Sequence, residues 1–160
     1  MAQHPWFVTG VNSGFGRQMT EQLLARGDRV AGTVRKMDAL NDLKAKYGEQ
    51  LRVAHLDVTD TSEVRQVVDK AFADLGRIDV VINNAGYGLF GAAEELSDDQ
   101  ILHQLNTNLV GSIQVVRAAL PHLRAQGGGR IIQVSTYGGL RRHAGQRRPR
   151  HQDINAPVAR

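Results

Sequence analysis

The chain has 160 residues, 41% of them hydrophobic and 22% charged, which suits one soluble domain with a buried core and excludes a disordered polymer. It contains no cysteine, so disulfides, zinc–thiolate sites and thiol catalysis are excluded together, and no metal site is expected. No apolar run reaches the roughly 18 residues of a membrane span. Met1 leads into Trp6-Phe7-Val8 without a basic leader, so a cytoplasmic protein with no membrane association is expected.

Strand and helix signals alternate along the chain. Trp6 to Thr9 is a short apolar run stopped by Gly10 and predicts a first buried strand. Phe15, Met19, Leu23 and Leu24 recur at helical spacing and predict a helix over 15–26, closed by Gly27. A second strand is predicted over 30–34, a helix over 39–47, and a third strand over 51–56. Val64, Val67, Val68, Ala71, Phe72 and Leu75 then form the apolar stripe of a third helix, ended by Gly76. Ile78 to Ile82 reads as a fourth strand.

Ser97 and Gln100 have the spacing of a capping box, which opens a long helix running to Leu123 with Pro121 in its closing turns. Gly127-Gly128-Gly129 breaks it, and Ile131 to Val134 is a fifth strand. Five strands alternating with four helices imply right-handed β-α-β units and a doubly wound parallel sheet. The apolar periodicity stops after Leu140. Residues 141–160 hold six arginines against Asp153 alone, so residues 1–140 carry 14 of the 20 basic and 15 of the 16 acidic residues. The net charge of +4 therefore belongs to a basic tail that is expected to be disordered. Residues 1–140 offer no basic stripe and no aromatic platform, and no nucleic-acid partner is expected.

The first strand runs into Thr9-Gly10-Val11-Asn12-Ser13-Gly14-Phe15-Gly16 and then a helix. Glycines at such a junction let the backbone turn tightly and approach a pyrophosphate, which the helix N-terminal amides and dipole attract. The spacing is Gly-x-x-x-Gly-x-Gly, and here the chain resembles the short-chain dehydrogenase/reductase family. The resemblance covers about residues 6–140, the N-terminal part of the family's Rossmann-type domain up to its fifth strand. Asn83-Asn84-Ala85-Gly86 matches the family's Asn-Asn-Ala-Gly at the end of the fourth strand. Asp57-Val58 stands where the family's aspartate contacts the adenine amino group. Asn108, three residues before Gly111, matches the helix asparagine. Ile131 to Thr136 matches the strand that ends in the catalytic serine, with Thr136 at the serine's place and Ser135 beside it.

The resemblance implies that Thr9, Gly10, Asn12, Ser13, Gly14, Phe15, Gly16, Arg35, Asp57, Val58 and Asn83 to Gly86 bind the cofactor, and that Asn108, Ser135 and Thr136 serve catalysis. It implies oxidoreduction of a small-molecule alcohol or carbonyl, and a homo-oligomer packed through the long helix. At the end of the second strand, Val34 occupies the place of the acid that holds the ribose 2′-hydroxyl of NAD, and Arg35 and Lys36 follow. A cation there grips a 2′-phosphate that a carboxylate would repel, so NADP is expected over NAD.

The family's tyrosine and lysine, four residues apart, have no counterpart in this sequence. Counting forward by the family pattern, those positions fall near Pro149 and Asp153, and the nearest imitation is Tyr137 with Arg141. An impaired or inactive dinucleotide-binding module is therefore the alternative to an active enzyme. The change of composition at 141 also raises the expectation of an aberrant C-terminus.

Overall fold

The computed structural model describes residues 3–135 and, as backbone only, residues 152–153. Thr136 and most of the basic tail lie outside the described residues. Strands β1 (Pro5–Val8), β2 (Arg29–Val34), β3 (Leu51–His55), β4 (Val80–Asn83) and β6 (Arg130–Gln133) form one sheet in the order β3-β2-β1-β4-β6. Every pairing in it is parallel. A second, two-stranded sheet pairs β5 (Phe90–Gly91) antiparallel with β7 (Gln152–Asp153).

Helices α1 (Gly14–Ala25), α2 (Asn41–Tyr47), α3 (Thr61–Leu75) and α5 (Ser112–Ala125) cover the large sheet, and α4 (Asp98–Leu105) precedes α5 in the chain. Successive strand residues face opposite layers. Phe7, Ala31 and Val81 join Val64, Val68, Phe72, Val115 and Leu123 on the α3–α5 side. Val8, Val30, Val80 and Ile82 join Leu23, Leu24, Leu40 and Leu43 on the α1–α2 side. Burial on both faces explains the unbroken apolar runs of β1 and β4.

The sequence expectations hold for the doubly wound sheet and the order of its elements, with differences of local cause. The fourth strand starts at Val80 rather than Ile78, because the Ile78 amide donates to the Gln126 side chain (3.3 Å) instead of a ladder partner. The second helix is shorter than 39–47, since residues 37–40 form a tighter 3-10 turn before it.

The expected single helix over 97–123 is interrupted. The Ser97–Gln100 capping box is present, but Asn106–Gly111 winds as a π-helical segment between α4 and α5. Gly111 lies against the strand-to-helix loop here: a Cβ on it would stand 2.8 Å from the Val58 carbonyl oxygen. A wider turn and a residue without a side chain let the helix approach that loop.

Candidate functional site

The chain leaves β1 for α1 at the centre of the sheet, where β2 and β4 lie on either side. This is the topological switch point, where the carboxyl ends of the strands leave a crevice. Two clefts meet there. The first, about 450 Å3, is lined by Gly10, Asn12 to Gly16, Thr33 to Arg35, Leu56, Val58 and Asn84 to Tyr87. The second, about 790 Å3, is lined by Asn84 to Gly88, Phe90, Asn108, Leu109, Ser112, Ile113, Val116, Arg117 and Gln133 to Ser135. Asn84, Ala85, Gly86 and Tyr87 belong to both.

Buried polar side chains shape the first cleft from behind. Thr9 is 1% exposed, and its Oγ1 accepts from the amides of Asn84 and Ala85, each at 3.0 Å. The Asn84 side-chain amide donates to the carbonyls of Thr9 and Gly10, both at 2.9 Å. The Thr33 carbonyl receives the amides of Gly10 and Val11 at 3.0 Å. The glycine turn is thus tied to β4 on one side and β2 on the other.

Two of its glycines are required for different reasons. Gly14 has φ +54°, and a Cβ there would meet nothing within 4 Å, so only its backbone conformation demands glycine. Gly16 is sterically closed, because a Cβ would run into the Gly10 carbonyl oxygen and the Asn84 amide. The Ser13 side chain makes no capping hydrogen bond to α1, so the first-turn amides at the cleft are left for another acceptor. An uncapped helix start beside a glycine turn suits a phosphate.

At the mouth, Val34 is buried at 2% exposure and Arg35 is exposed. Among the described residues Arg35 forms no ion pair, whereas Arg17 on α1 is committed to Glu21 and Asp42. The side-chain hydrogen bond that Arg17 donates to Asp42, ahead of the opposing burial, raises the Arg17 pKa above its ordinary value. The Asp57 carboxyl is held below the usual range, first by the Thr59 amide; the Thr59 hydroxyl and the charges of Arg35 and His103 also outweigh its burial. Asp57 is not the N-cap of α3; Asp60 is, accepting from the amides of Ser62 and Glu63.

Of the sequence-predicted cofactor residues, Gly10, Asn12 to Gly16, Arg35, Val58 and Asn84 to Gly86 come together on the cleft wall. Thr9 and Asn83 sit buried behind it, and Asp57 lies between Leu56 and Val58 without lining it. Asn83 donates to the Ser112 carbonyl at 3.2 Å, while its buried Oδ1 has no partner among the described residues. Asn108 and Ser135 line the second cleft; Thr136 lies outside the described residues.

The Asn108 side chain is engaged at both ends with Tyr87: its Oδ1 accepts from the Tyr87 amide (3.0 Å) and its Nδ2 donates to the Tyr87 carbonyl (2.7 Å). Its own carbonyl accepts from Ser112 Oγ at 3.1 Å. Thr33, Tyr87, Ser112 and Gln133 were missed by the sequence reading. Continuous burial of β2 from Val30 to Val34 takes in Thr33, but the other three are set by tertiary contacts that no local pattern carries.

Comparisons with known proteins agree with this geometry. The short chain dehydrogenase family model matches residues 6–147. Oxidoreductase BOA17 of Botryotinia fuckeliana is 44% identical over 135 residues, 84% of this chain and 49% of that protein. The NADP-dependent 3-hydroxy acid dehydrogenase YdfG of Escherichia coli K12 is 31% identical over 139 residues, 86% of this chain and 56% of that protein. A short-chain dehydrogenase from Streptomyces avermitilis aligns with TM-score 0.84 at 38% identity, covering 90% of this chain and 53% of that one. The closed form of serine dehydrogenase complexed with NADP+ gives 0.81 at 30% identity, covering 88% and 57%. The chain spans about half the length of the curated relatives it matches.

Proposed function

We propose, from the premise that this chain belongs to the short-chain dehydrogenase family, that it holds NADP(H) in the first cleft for a cytoplasmic oxidoreductase of alcohol or carbonyl compounds. The observation that carries this is the pairing of a closely packed glycine turn under an uncapped helix start with a cation, Arg35, that forms no ion pair among the described residues and stands next to Val34 at the end of β2. The residues present fit the group: the open space at Gly14 and the uncapped first turn of α1 suit a backbone-close pyrophosphate, and Arg35 matches a 2′-phosphate in charge and fork geometry. No described helix is long and apolar enough to cross a membrane. The exposed residues Leu102, Leu105 and Val110, which line neither cleft, support pairing of the long helix with a second copy.

When bound, the nicotinamide would supply or accept the hydride. Asn84 and Thr9 keep the glycine turn in place, and the first-turn amides of α1 bind phosphate oxygens. Asn108 fixes the Tyr87 backbone where the two clefts join. Ser135, at the far wall of the second cleft, offers a hydroxyl that orients a substrate oxygen.

A second reading, a module that holds cofactor with little turnover, is favoured by one observation: this sequence contains no Tyr-x-x-x-Lys, and counting by the family pattern falls near Pro149 and Asp153. Positioned proton transfer is worth about 10²–10⁴-fold, and neither residue replaces a phenol next to an ammonium. The test is NADPH oxidation by the full chain against a panel of aldehydes, ketones and keto acids, after binding has been measured. We expect NADPH binding with no more than trace turnover, and recovery of activity when a family-like continuation carrying Tyr-x-x-x-Lys follows Leu140. Robust turnover lost in Tyr137→Phe would reject the second reading and make Tyr137 the acid. Absence of any dinucleotide binding would reject both.

A further inference from the structure

Glu63 lies at the third position of α3, three residues after the N-cap Asp60. A glutamate there ordinarily reaches back to the N-cap amide. That amide is already used, because Asp60 donates to the Asp57 carbonyl at 3.0 Å. Glu63 reaches further instead. Its Oε2 accepts from the Asp57 amide at 2.9 Å, and its Oε1 meets His55 Nδ1 at 2.6 Å. An ionised carboxylate only accepts, so Nδ1 carries the proton in this contact. One side chain therefore clasps the last residue of β3 and the loop that follows it.

The effect falls on Asp57. Its amide is taken by Glu63, its carbonyl by Asp60, and its Oδ1 by the amide and hydroxyl of Thr59 at 2.9 and 2.7 Å. Its other carboxylate oxygen, Oδ2, accepts nothing among the described residues. Three of the four acceptor or donor groups are spent on holding the residue, and one is left.

We propose that Glu63 is a positioning residue for base recognition, fixing Asp57 so that its remaining carboxylate oxygen accepts the amino group of the cofactor's adenine. The proposal rests on the reading of the first cleft as a dinucleotide site. An exocyclic amino group is a donor with a fixed direction, so its acceptor must be held, not merely present. Without Glu63 the Asp57 amide loses its partner, and residues 56–60 keep the Leu56 amide on the Val34 carbonyl, the Asp60 amide on the Asp57 carbonyl and the turn through Thr59.

The test compares the affinity of the full chain for NADPH with its affinity for the 6-oxo analogue, in which hypoxanthine replaces adenine. A hydrogen bond to an ionised group implies a preference for NADPH of about tenfold or more in the unmodified chain. Asp57→Asn should remove most of that preference, and Glu63→Ala should narrow it severalfold. Glu63→Asp, one methylene too short to reach the Asp57 amide, should narrow it likewise and serves if the alanine variant does not fold. Glu63→Gln keeps an oxygen for the amide and should stay near the unmodified ratio.

A purely structural role would lower both affinities together and leave their ratio unchanged. If Glu63→Ala and Glu63→Asp keep the full preference while Asp57→Asn loses it, Glu63 does not position Asp57, and the dinucleotide reading stands. If the unmodified chain binds NADPH without discriminating the analogue, Asp57 does not read the base and the proposal falls. If it binds neither, the dinucleotide reading itself fails.

Discussion

On the glycine-turn side of Tyr87 the cleft is built around a backbone turn braced by Thr9, Thr33 and Asn84. On the far side the walls are largely apolar side chains, with Phe90 at 74%, Leu109 at 55% and Ile113 at 47% exposure. A backbone turn held by hydrogen bonds is preorganised for a ligand whose charged groups are fixed. A wall of exposed side chains gains its shape from what packs on it. The half of the molecule proposed to face the dinucleotide is thus set by hydrogen bonds among the described residues, whereas the half proposed to face a substrate presents exposed apolar side chains.

The sharpest way to break this contrast is at Gly16. Gly16→Val drives a side chain into the Gly10 carbonyl and the Asn84 amide, and should lower dinucleotide affinity by about 100-fold or more. Gly14→Ala meets open space and carries only the left-handed backbone penalty of about 1–2 kcal/mol. Titration of both variants should therefore rank Gly16 far above Gly14. Equal losses would mean that the turn is not closed where the structure closes it.

Thr9→Val keeps the shape but leaves the Asn84 and Ala85 amides without an acceptor, at about 1–3 kcal/mol each. Denaturant unfolding should show the loss, and cofactor affinity should fall with it. A neutral result would show that the brace behind the cleft is dispensable.

Asp28 separates fold from site, because it lies at the opposite end of β1. It is 2% exposed. Burial pushes its carboxyl up, but the His4 amide, Arg26 and the Trp6 indole together hold it below the ordinary value. A depressed carboxylate contributes stability that is present above its unfolded pKa of about 3.9 and is lost as pH falls through the folded value. Asp28→Asn should cost about 1.5–3 kcal/mol at neutral pH, flatten the acid limb of the stability curve, and leave the choice of cofactor unchanged.

The smallest effect is expected in the second cleft. Leu109→Ser removes an exposed apolar side chain and should change the stability of the chain by no more than about 0.5 kcal/mol. A large destabilisation would show that this wall is already packed.

The sheet was legible because burial on both faces writes continuous apolar runs, as in Phe7-Val8 and Val80-Val81-Ile82, between helices with a one-sided stripe. The glycine turn and Asn83-Asn84-Ala85-Gly86 were legible because backbone conformation and close approach restrict residue type. The π-helical segment at 106–111 was not, since it arises where Gly111 meets the loop after β3 and leaves the 3.6-residue period of its flanks intact. The double grip of Asn108 on Tyr87 and the reach of Glu63 to Asp57 were equally hidden. Both depend on distances between elements, and a polar residue on a helix surface looks the same whether its partner is water or a distant amide.

The central claim is that Arg35, beside the buried Val34, reads a 2′-phosphate at the mouth of the first cleft. The most direct measurement is the affinity of the unmodified chain and of Arg35→Ala for NADPH and NADH by equilibrium titration. The account predicts that the unmodified chain prefers NADPH by about tenfold or more, a charge-assisted contact of about 1.5–3 kcal/mol, and that the preference shrinks in Arg35→Ala through weaker NADPH binding alone. Equal affinity for the two cofactors in the unmodified chain, or a preference that survives the loss of Arg35, would contradict it.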